Sequence, residues 1–248
     1  MILTHISKIK GLDKKEYAAL RKLCLLNRGL ANIVLYEIKE NYKETGKTLS
    51  YNKCYHIVKE KYNYKQIQAN CSQQTIKDIC DSYKGFFNSL KGKKKSPDKY
   101  KNIFIKEPGF KKPGELVTIS VAGQQISGRK GYVNIPLSND FKQQSRIKKI
   151  EIKKPSNLEG KVIKEMKIVP IQNGLYFELH FVYEHQSVDL ELNQNNQMAI
   201  DVGLNNLATC VTSDGLSWIY SGRKLKSINH YYNKKKASLN TQLSKQGS

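Results

Sequence analysis

The apolar positions of the chain change period along its length. Ile2, Leu3, Ile6 and Ile9 make Met1–Lys10 read as a short strand, ended by Gly11. Asp13, with Glu16 three residues on, has the form of a capping box with Asp in the Ser/Thr place. Tyr17, Leu20, Cys24, Ala31, Val34, Ile38 and Tyr42 then recur at helical spacing, which predicts a long amphipathic helix to near Tyr42 with Gly29 as a candidate break. Thr45 and Gly46 punctuate it. Ser50 is placed to cap a second helix carrying Tyr51, Cys54, Tyr55 and Val58. Ser72 is placed to cap a third, with Ile76, Ile79, Cys80, Tyr83, Phe86, Phe87 and Leu90 on one stripe.

Lys91–Lys101 interrupts this pattern and reads as a basic loop punctuated by Gly92 and Pro97, and Lys111, Lys112, Pro113 and Gly114 continue that character. From Leu116 the period is two. Strands are predicted around Val117–Val121, Tyr132–Ile135, Ile147–Ile152 and Val162–Val169. Asn173-Gly174 is a hairpin signal. After it, Leu175, Phe177, Leu179, Phe181 and Tyr183 alternate with Tyr176, Glu178, His180 and Val182 as a half-buried strand. The Asn/Gln-rich stretch 186–197 reads as a linker. Met198–Thr212 reads as strand, tight turn, strand. Ser213, Asp214 and Gly215 form a second turn, Leu216–Tyr220 a third strand, and Leu225, Ile228, Tyr232, Leu239 and Leu243 mark a final basic helix. No internal repeat is visible.

Charge narrows the class of partner. In 248 residues, 43 Lys and Arg stand against 21 Asp and Glu, a net charge of +22. Such an excess speaks to partners and solubility rather than fold, and makes a polyanion the expected partner. Fifteen Tyr against 7 Phe and 1 Trp add aromatic faces with polar handles, which suit nucleic acid. No apolar run approaches the roughly 18 residues of a membrane helix, and Met1–Lys10 lacks the apolar core of a secretory signal. The five cysteines, Cys24, Cys54, Cys71, Cys80 and Cys210, are too scattered for a disulfide framework, so a reducing, cytoplasmic setting is expected.

Candidate chemistry lies in a few places. Asp201, between Ile200 and Val202 and beside Gly203, reads either as a turn-initiating carboxylate or as a metal ligand. Lysines cluster three times: Lys91, Lys93, Lys94, Lys95, Lys99 and Lys101; then Lys148, Lys149, Lys153, Lys154, Lys161, Lys164 and Lys167; then Arg223, Lys224, Lys226, Lys234, Lys235 and Lys236. Each reads as a solvated basic tract or as a phosphate-binding face whose affinity would fall steeply with salt. His5, His56, His180, His185 and His230 are scattered without paired cysteines, so no zinc site is expected.

The run Ile200-Asp201-Val202-Gly203-Leu204-Asn205-Asn206-Leu207-Ala208-Thr209 resembles the first RuvC motif of TnpB proteins, transposon-encoded RNA-guided DNA nucleases related to type V CRISPR effectors. Ser72-Gln73-Gln74 through Ser82-Tyr83-Lys84-Gly85-Phe86-Phe87 resembles that family's helix ending in a Tyr-Lys-x-Phe-Phe-like motif. The lysine-rich segment 91–112 and the strand 176–184 also fit, so the resemblance spans the chain. It implies an α+β fold: a WED first strand at 1–10, a helical REC region at 11–112, a WED-type β-barrel at 113–186, a linker at 187–197, and a partial RNase H-like (RuvC) β-β-β-α unit at 198–248.

The resemblance makes Asp201 the first of three RuvC carboxylates that hold a pair of Mg²⁺ ions. The other two have no counterpart, since Asp214 is the last acidic residue of the sequence, and the family's zinc ribbon is missing too. Mg²⁺ is therefore expected to be held only weakly by Asp201 alone, and the chain is expected to correspond to the N-terminal part of a TnpB protein. Tyr51 and Gln73, and with them Ser120, fall where the family reads a short motif beside its target. A glutamine amide can bond adenine N6 and N7 together. Lys91, Lys93, Lys94, Lys95, Lys111, Lys112, Lys153, Lys154, Arg223 and Lys224 are the expected backbone contacts. Tyr83, Phe86 and Phe87 read as helical core.

The implied partners are a guide or scaffold RNA, target double-stranded DNA and a separate C-terminal RuvC and zinc-ribbon fragment, without a membrane and in the nucleoid of a prokaryotic cell. The alternatives are half of a split endonuclease, a plain RNA-binding protein, and a decayed reading frame.

Overall fold

The computed structural model describes residues 1–185, 193 and 195–245, and the chain divides into two units, Met1–Ser187 and Val188–Ser248. The first unit begins with β1 (Ile2–Lys8), followed by α1 (Lys14–Thr45), α2 (Tyr51–Val58), α3 (Tyr62–Gln66) and α4 (Ala69–Lys95). It continues through β2 (Ile119–Ala122), β3 (Tyr132–Asn134), α5 (Asn139–Ser145), β4 (Glu151–Lys153), β5 (Ile163–Ile171) and β6 (Tyr176–Glu184). The second unit holds β7 (Met198–Asp201), β8 (Asn206–Thr212), β9 (Ser217–Ser221) and α6 (Arg223–Lys245). The fold is mixed α+β. Among the described residues no helix is long and apolar enough to cross a membrane.

The start of α1 follows its local chemistry. The Glu16 amide donates to Asp13 Oδ1 at 2.7 Å, and the Asp13 amide donates to Glu16 Oε2 at 3.0 Å, a reciprocal capping box. The helix ends at Gly46, whose left-handed φ of 67° lets its amide donate to the Tyr42 carbonyl. It does not break at Gly29. A side chain there would collide with Asn63, whose Nδ2 donates to the Leu26 carbonyl at 3.0 Å, so the glycine serves close approach of α3.

Two further expectations are corrected. Gln68, not Ser72, caps α4, its Oε1 accepting from the amides of Asn70 and Cys71. Ser72 lies buried inside the helix and donates to the Tyr64 carbonyl at 3.1 Å. Lys91–Lys95 are not loop but the last turn of α4, with Pro97–Tyr100 forming a short 3-10 turn after it. Lysines at a helix C-terminus are favoured by the carbonyl end of the helix dipole, and no proline precedes Pro97 to stop the helix earlier. α3 and α5, both short, carry no repeated apolar period that could announce them.

The predicted barrel is, among the described residues, an open four-stranded antiparallel sheet ordered β1-β6-β5-β2, with β3 and β4 as a separate two-stranded ribbon. No strand pairing joins β1 to β2, and the ribbon does not bridge them. Register follows the alternation. Phe181 lies opposite Met166, and Leu179 opposite Ile168. Met166 and Ile168 in turn face Val121 and Ile119, so one face of the sheet is a continuous apolar layer. Leu175 does not join it; it lies in the turn and is exposed. There Gln172, Asn173 and Gly174 all have positive φ, and α1 grips the turn through Tyr17, whose hydroxyl donates to the Gly174 carbonyl, and Arg21, which donates to the Asn173 carbonyl.

The helices are joined to the sheet by a buried polar contact. Asn27 of α1 donates to the Thr118 carbonyl at 2.8 Å and accepts from the Thr75 hydroxyl of α4 at 2.7 Å. Replacing Asn27 with Ala takes this donor from the partly buried Thr118 carbonyl, while Thr75 keeps its bond to the Cys71 carbonyl. Urea denaturation of Asn27→Ala is expected to show a loss of about 1–3 kcal/mol. A midpoint equal to that of the wild type would mean that water or a backbone shift satisfies the carbonyl.

In the second unit β7, β8 and β9, the three strands read from the sequence, form an antiparallel sheet in sequence order. Ile200, Cys210 and Trp218 form one cross-strand row. Most of the predicted linker, 186–192 and 194, lies outside the described residues.

Candidate nucleic-acid interface and the Asp201 turn

Tyr51 opens α2, where the Ser50 hydroxyl accepts from the Lys53 amide. Its ring lies 6.5 Å from that of Tyr55, nearly parallel, and Tyr55 meets Tyr64 edge-on at 6.0 Å. Tyr64 in turn accepts a hydrogen bond from Gln73 Nε2 at 3.5 Å. Tyr51 and Gln73 thus stand at the two ends of a row of three tyrosines. Tyr55 and Tyr64 were not singled out from the sequence as site residues; the i, i+4 spacing of Tyr51 and Tyr55 was the available signal. Burial holds the hydroxyls of Tyr51 and Tyr64 above the ordinary tyrosine range, so both remain neutral donors at physiological pH.

Tyr51 also lines a groove of about 800 Å³ between the α1–α2 connection and α4, together with Lys47, Cys80, Lys84, Phe87 and Lys91. Lys91, Lys93, Lys94 and Lys95 are exposed, and among the described residues none of them is ion-paired. The helix therefore presents uncompensated charge at the end where its carbonyls concentrate negative potential.

Ser120 is placed differently. It is buried in the middle of β2, opposite Lys167 of β5. Asp78 of α4 lies close to Glu165 and Lys167, and burial raises its carboxyl above the usual range, against the bond it accepts from Gln74. Ser120 therefore belongs to the joint between sheet and helix. Lys111 and Lys112 lie in a segment held by its backbone. Asn32 of α1 donates to the Lys111 carbonyl and accepts from its amide, and Arg28 donates to the Lys112 carbonyl. Lys153 ends β4. Lys154 lines a cleft of about 300 Å³ with Ser127, Gly128, Arg129, Lys130 and Gly131.

In the second unit Asp201 ends β7 opposite Thr209, and the residues around it are exposed. The turn that follows is tied to the start of α6: the Gly222 amide donates to the Asn205 carbonyl at 2.8 Å, and Lys226 Nζ donates to Asn205 Oδ1 at 2.8 Å. Arg223, in the first turn of α6, lines a groove of about 740 Å³ with Gly203, Leu204 and Lys226; Lys224 beside it is exposed. Cationic side chains thus lie next to the turn that carries Asp201.

Asp214 is held ionised by the Thr212 hydroxyl. It sits beyond Thr212, at the far end of the β7–β8 ladder from the Asp201–Thr209 rung. The two rungs are three residue steps apart along the strand, roughly 10 Å. Two carboxylates so placed cannot bridge metal ions about 4 Å apart. Among the described residues no three His, Cys, Asp or Glu side chains converge as metal ligands. The side chains described here do not fit a Mg²⁺ pair.

Sequence comparison matches residues 180–248 to the OrfB_IS605 family, described as "probable transposase". The matched stretch contains β7 with Asp201, the turn after it and α6. No curated protein matches the chain. Among solved structures, a CRISPR-Cas12f ternary complex aligns over 94% of this chain and 52% of its own, at 14% identity and a TM-score of 0.44. A Cas12f1–sgRNA–target DNA complex aligns over 99% of this chain and 62% of its own, at 12% identity and a TM-score of 0.43. The chain spans 52% and 62% of the lengths of these two proteins, and at such scores neither likeness carries an argument about this one.

Proposed function

We propose that this chain, TnpB-like through the OrfB_IS605 stretch at residues 180–248, is an RNA-guided DNA-binding protein with an incomplete RuvC site. The observation that carries the reading is Asp201 at the end of an antiparallel strand, inside a motif of RuvC type and inside the matched family region. On this reading the open sheet and ribbon of the first unit are the counterpart of the WED region, α1–α4 are the REC region, and β7–β9 with α6 are the beginning of RuvC. Guide RNA lies on the basic faces around Lys91–Lys95, Lys111, Lys112, Lys153 and Lys154 and around Arg223 and Lys224. Tyr51 and Gln73 read a short motif beside the target. Base pairing supplies the remaining specificity, and the protein contacts mainly backbone.

Purification of the chain from cells followed by sequencing of bound RNA tests the reading. One recurring scaffold-and-guide species is the expected result. A random sample of cellular RNA would refute it and leave charge as the only basis of binding.

Gln73→Ala is expected to lower discrimination at the adjacent motif by about 1–3 kcal/mol, the worth of a bidentate base contact, and to leave RNA affinity unchanged. Profiling the variant with guide RNA against a library of flanking sequences measures this. An unaltered preference would restrict Gln73 to its contact with Tyr64.

A second reading, half of a split endonuclease, is favoured by the exposed apolar side chains of the second unit, among them Ile200, Leu225, Ile228, Leu239 and Leu243. On that reading a separate polypeptide supplies the missing carboxylates and covers these residues. Cleavage restored by adding that polypeptide would support it.

A further inference from the structure

We infer that Cys54 and Cys80 form a reversible redox pair, closed by a peroxide-class oxidant into a disulfide that ties α2 to α4. Their sulfurs lie 3.9 Å apart, on two helices that pack against each other. Cys54 is fully buried, whereas Cys80 is partly exposed and lines the groove that holds Tyr51, Lys84 and Lys91. One sulfur is therefore reachable from solvent and the other is shielded behind it. This is the arrangement of an attacking and a resolving thiol. A disulfide requires sulfurs about 2.05 Å apart, so the pair must close by roughly 2 Å. Side-chain rotation and a small shift of α2, only eight residues long, can supply that.

The two thiols differ in acidity in the direction the chemistry needs. The sulfur–sulfur contact with Cys54 draws the Cys80 thiol below its ordinary value, against partial burial and the charge of Asp81. The same contact, with burial, keeps Cys54 protonated. Cys80 as thiolate attacks one peroxide oxygen. An S–O bond forms, the O–O bond breaks, and the departing hydroxide takes a proton to become water. Cys54 then attacks the Cys80 sulfenic sulfur. The S–S bond forms, the S–O bond breaks, and the leaving hydroxide combines with the Cys54 proton as a second water. The two thiols lose two electrons in total and one peroxide gains them. The product fixes α2, with Tyr51 three residues before Cys54, against α4.

The test treats the reduced full chain with one equivalent of hydrogen peroxide, alkylates the remaining thiols and maps the peptides by mass spectrometry. The expected product has lost two hydrogens, retains three of its five thiols, contains a Cys54–Cys80 cross-linked peptide, and reverts with dithiothreitol. Amide exchange in α2 is expected to slow by about tenfold or more in the oxidised form. Cys80→Ser, at the partly exposed position, is expected to abolish the cross-link. Sulfinic acid at Cys80 with Cys54 still reduced in the wild type, cross-links through Cys24, Cys71 or Cys210 instead, or a cross-link that leaves α2 exchange unchanged would each overturn the inference.

Discussion

On the proposed reading, matched duplex DNA incubated with this chain, a guide RNA and Mg²⁺ or Mn²⁺ is expected to remain intact. A two-metal displacement needs several oxygens converging on two ions about 4 Å apart, one to activate water and one to stabilise the leaving oxygen. Among the described residues no group of three possible metal ligands includes Asp201, at the end of β7. Asp214 lies at the opposite end of the β7–β8 ladder, occupied by Thr212, and no Asp or Glu follows it in the sequence. Losing charge stabilisation worth several kcal/mol costs a few powers of ten in rate, at about 1.4 kcal/mol for each. Wild type and Asp201→Ala should therefore be indistinguishable over a long time course. Guide-dependent cuts that vanish in Asp201→Ala would mean that the partner carboxylates come from a second copy or from an unforeseen position.

The second large effect is expected at the end of α4. Replacing Lys93, Lys94 and Lys95 together by Ala should weaken RNA binding by roughly tenfold or more at low ionic strength. It should also flatten the plot of log affinity against log salt by about 1–3 units, since each neutralised phosphate contributes nearly one released counterion. The side chains are exposed, and among the described residues none is ion-paired, so no internal salt bridge is lost. Helicity should be retained, because Ala is the best helix former. Circular dichroism and filter binding across a salt series measure both. The same affinity and slope in the triple variant would remove this helix end from the interface.

Local chemistry was legible wherever a short-range rule acts alone. Asp13 and Glu16 cap α1, the alternation from Phe177 to Tyr183 builds β6, and Asn173-Gly174 marks the β5–β6 turn. The same rules misled where a distant group intervenes. Gly29 reads as a break until Asn63 is seen to need the space. Ser72 reads as a cap until Tyr64 is seen to accept its hydroxyl. Both need a residue of another helix, α3.

The amino-acid pattern was enough for the α+β class, the longer helices and most strands in their order, the excess of positive charge and the RuvC-like run at Asp201, but not for the short helices α3 and α5. The legible features depend on composition and on neighbours within a few residues, where propensity, capping and alternation act. Only tertiary structure decided that the first sheet is open among the described residues, that Asn27 joins α1, α4 and the β2 segment, that Tyr51 and Gln73 share a tyrosine row, and that Cys54 lies 3.9 Å from Cys80. Each joins residues far apart in the chain, and such contacts form only once long-range packing has met the entropy of closing the intervening loops. No periodicity within a single segment encodes that.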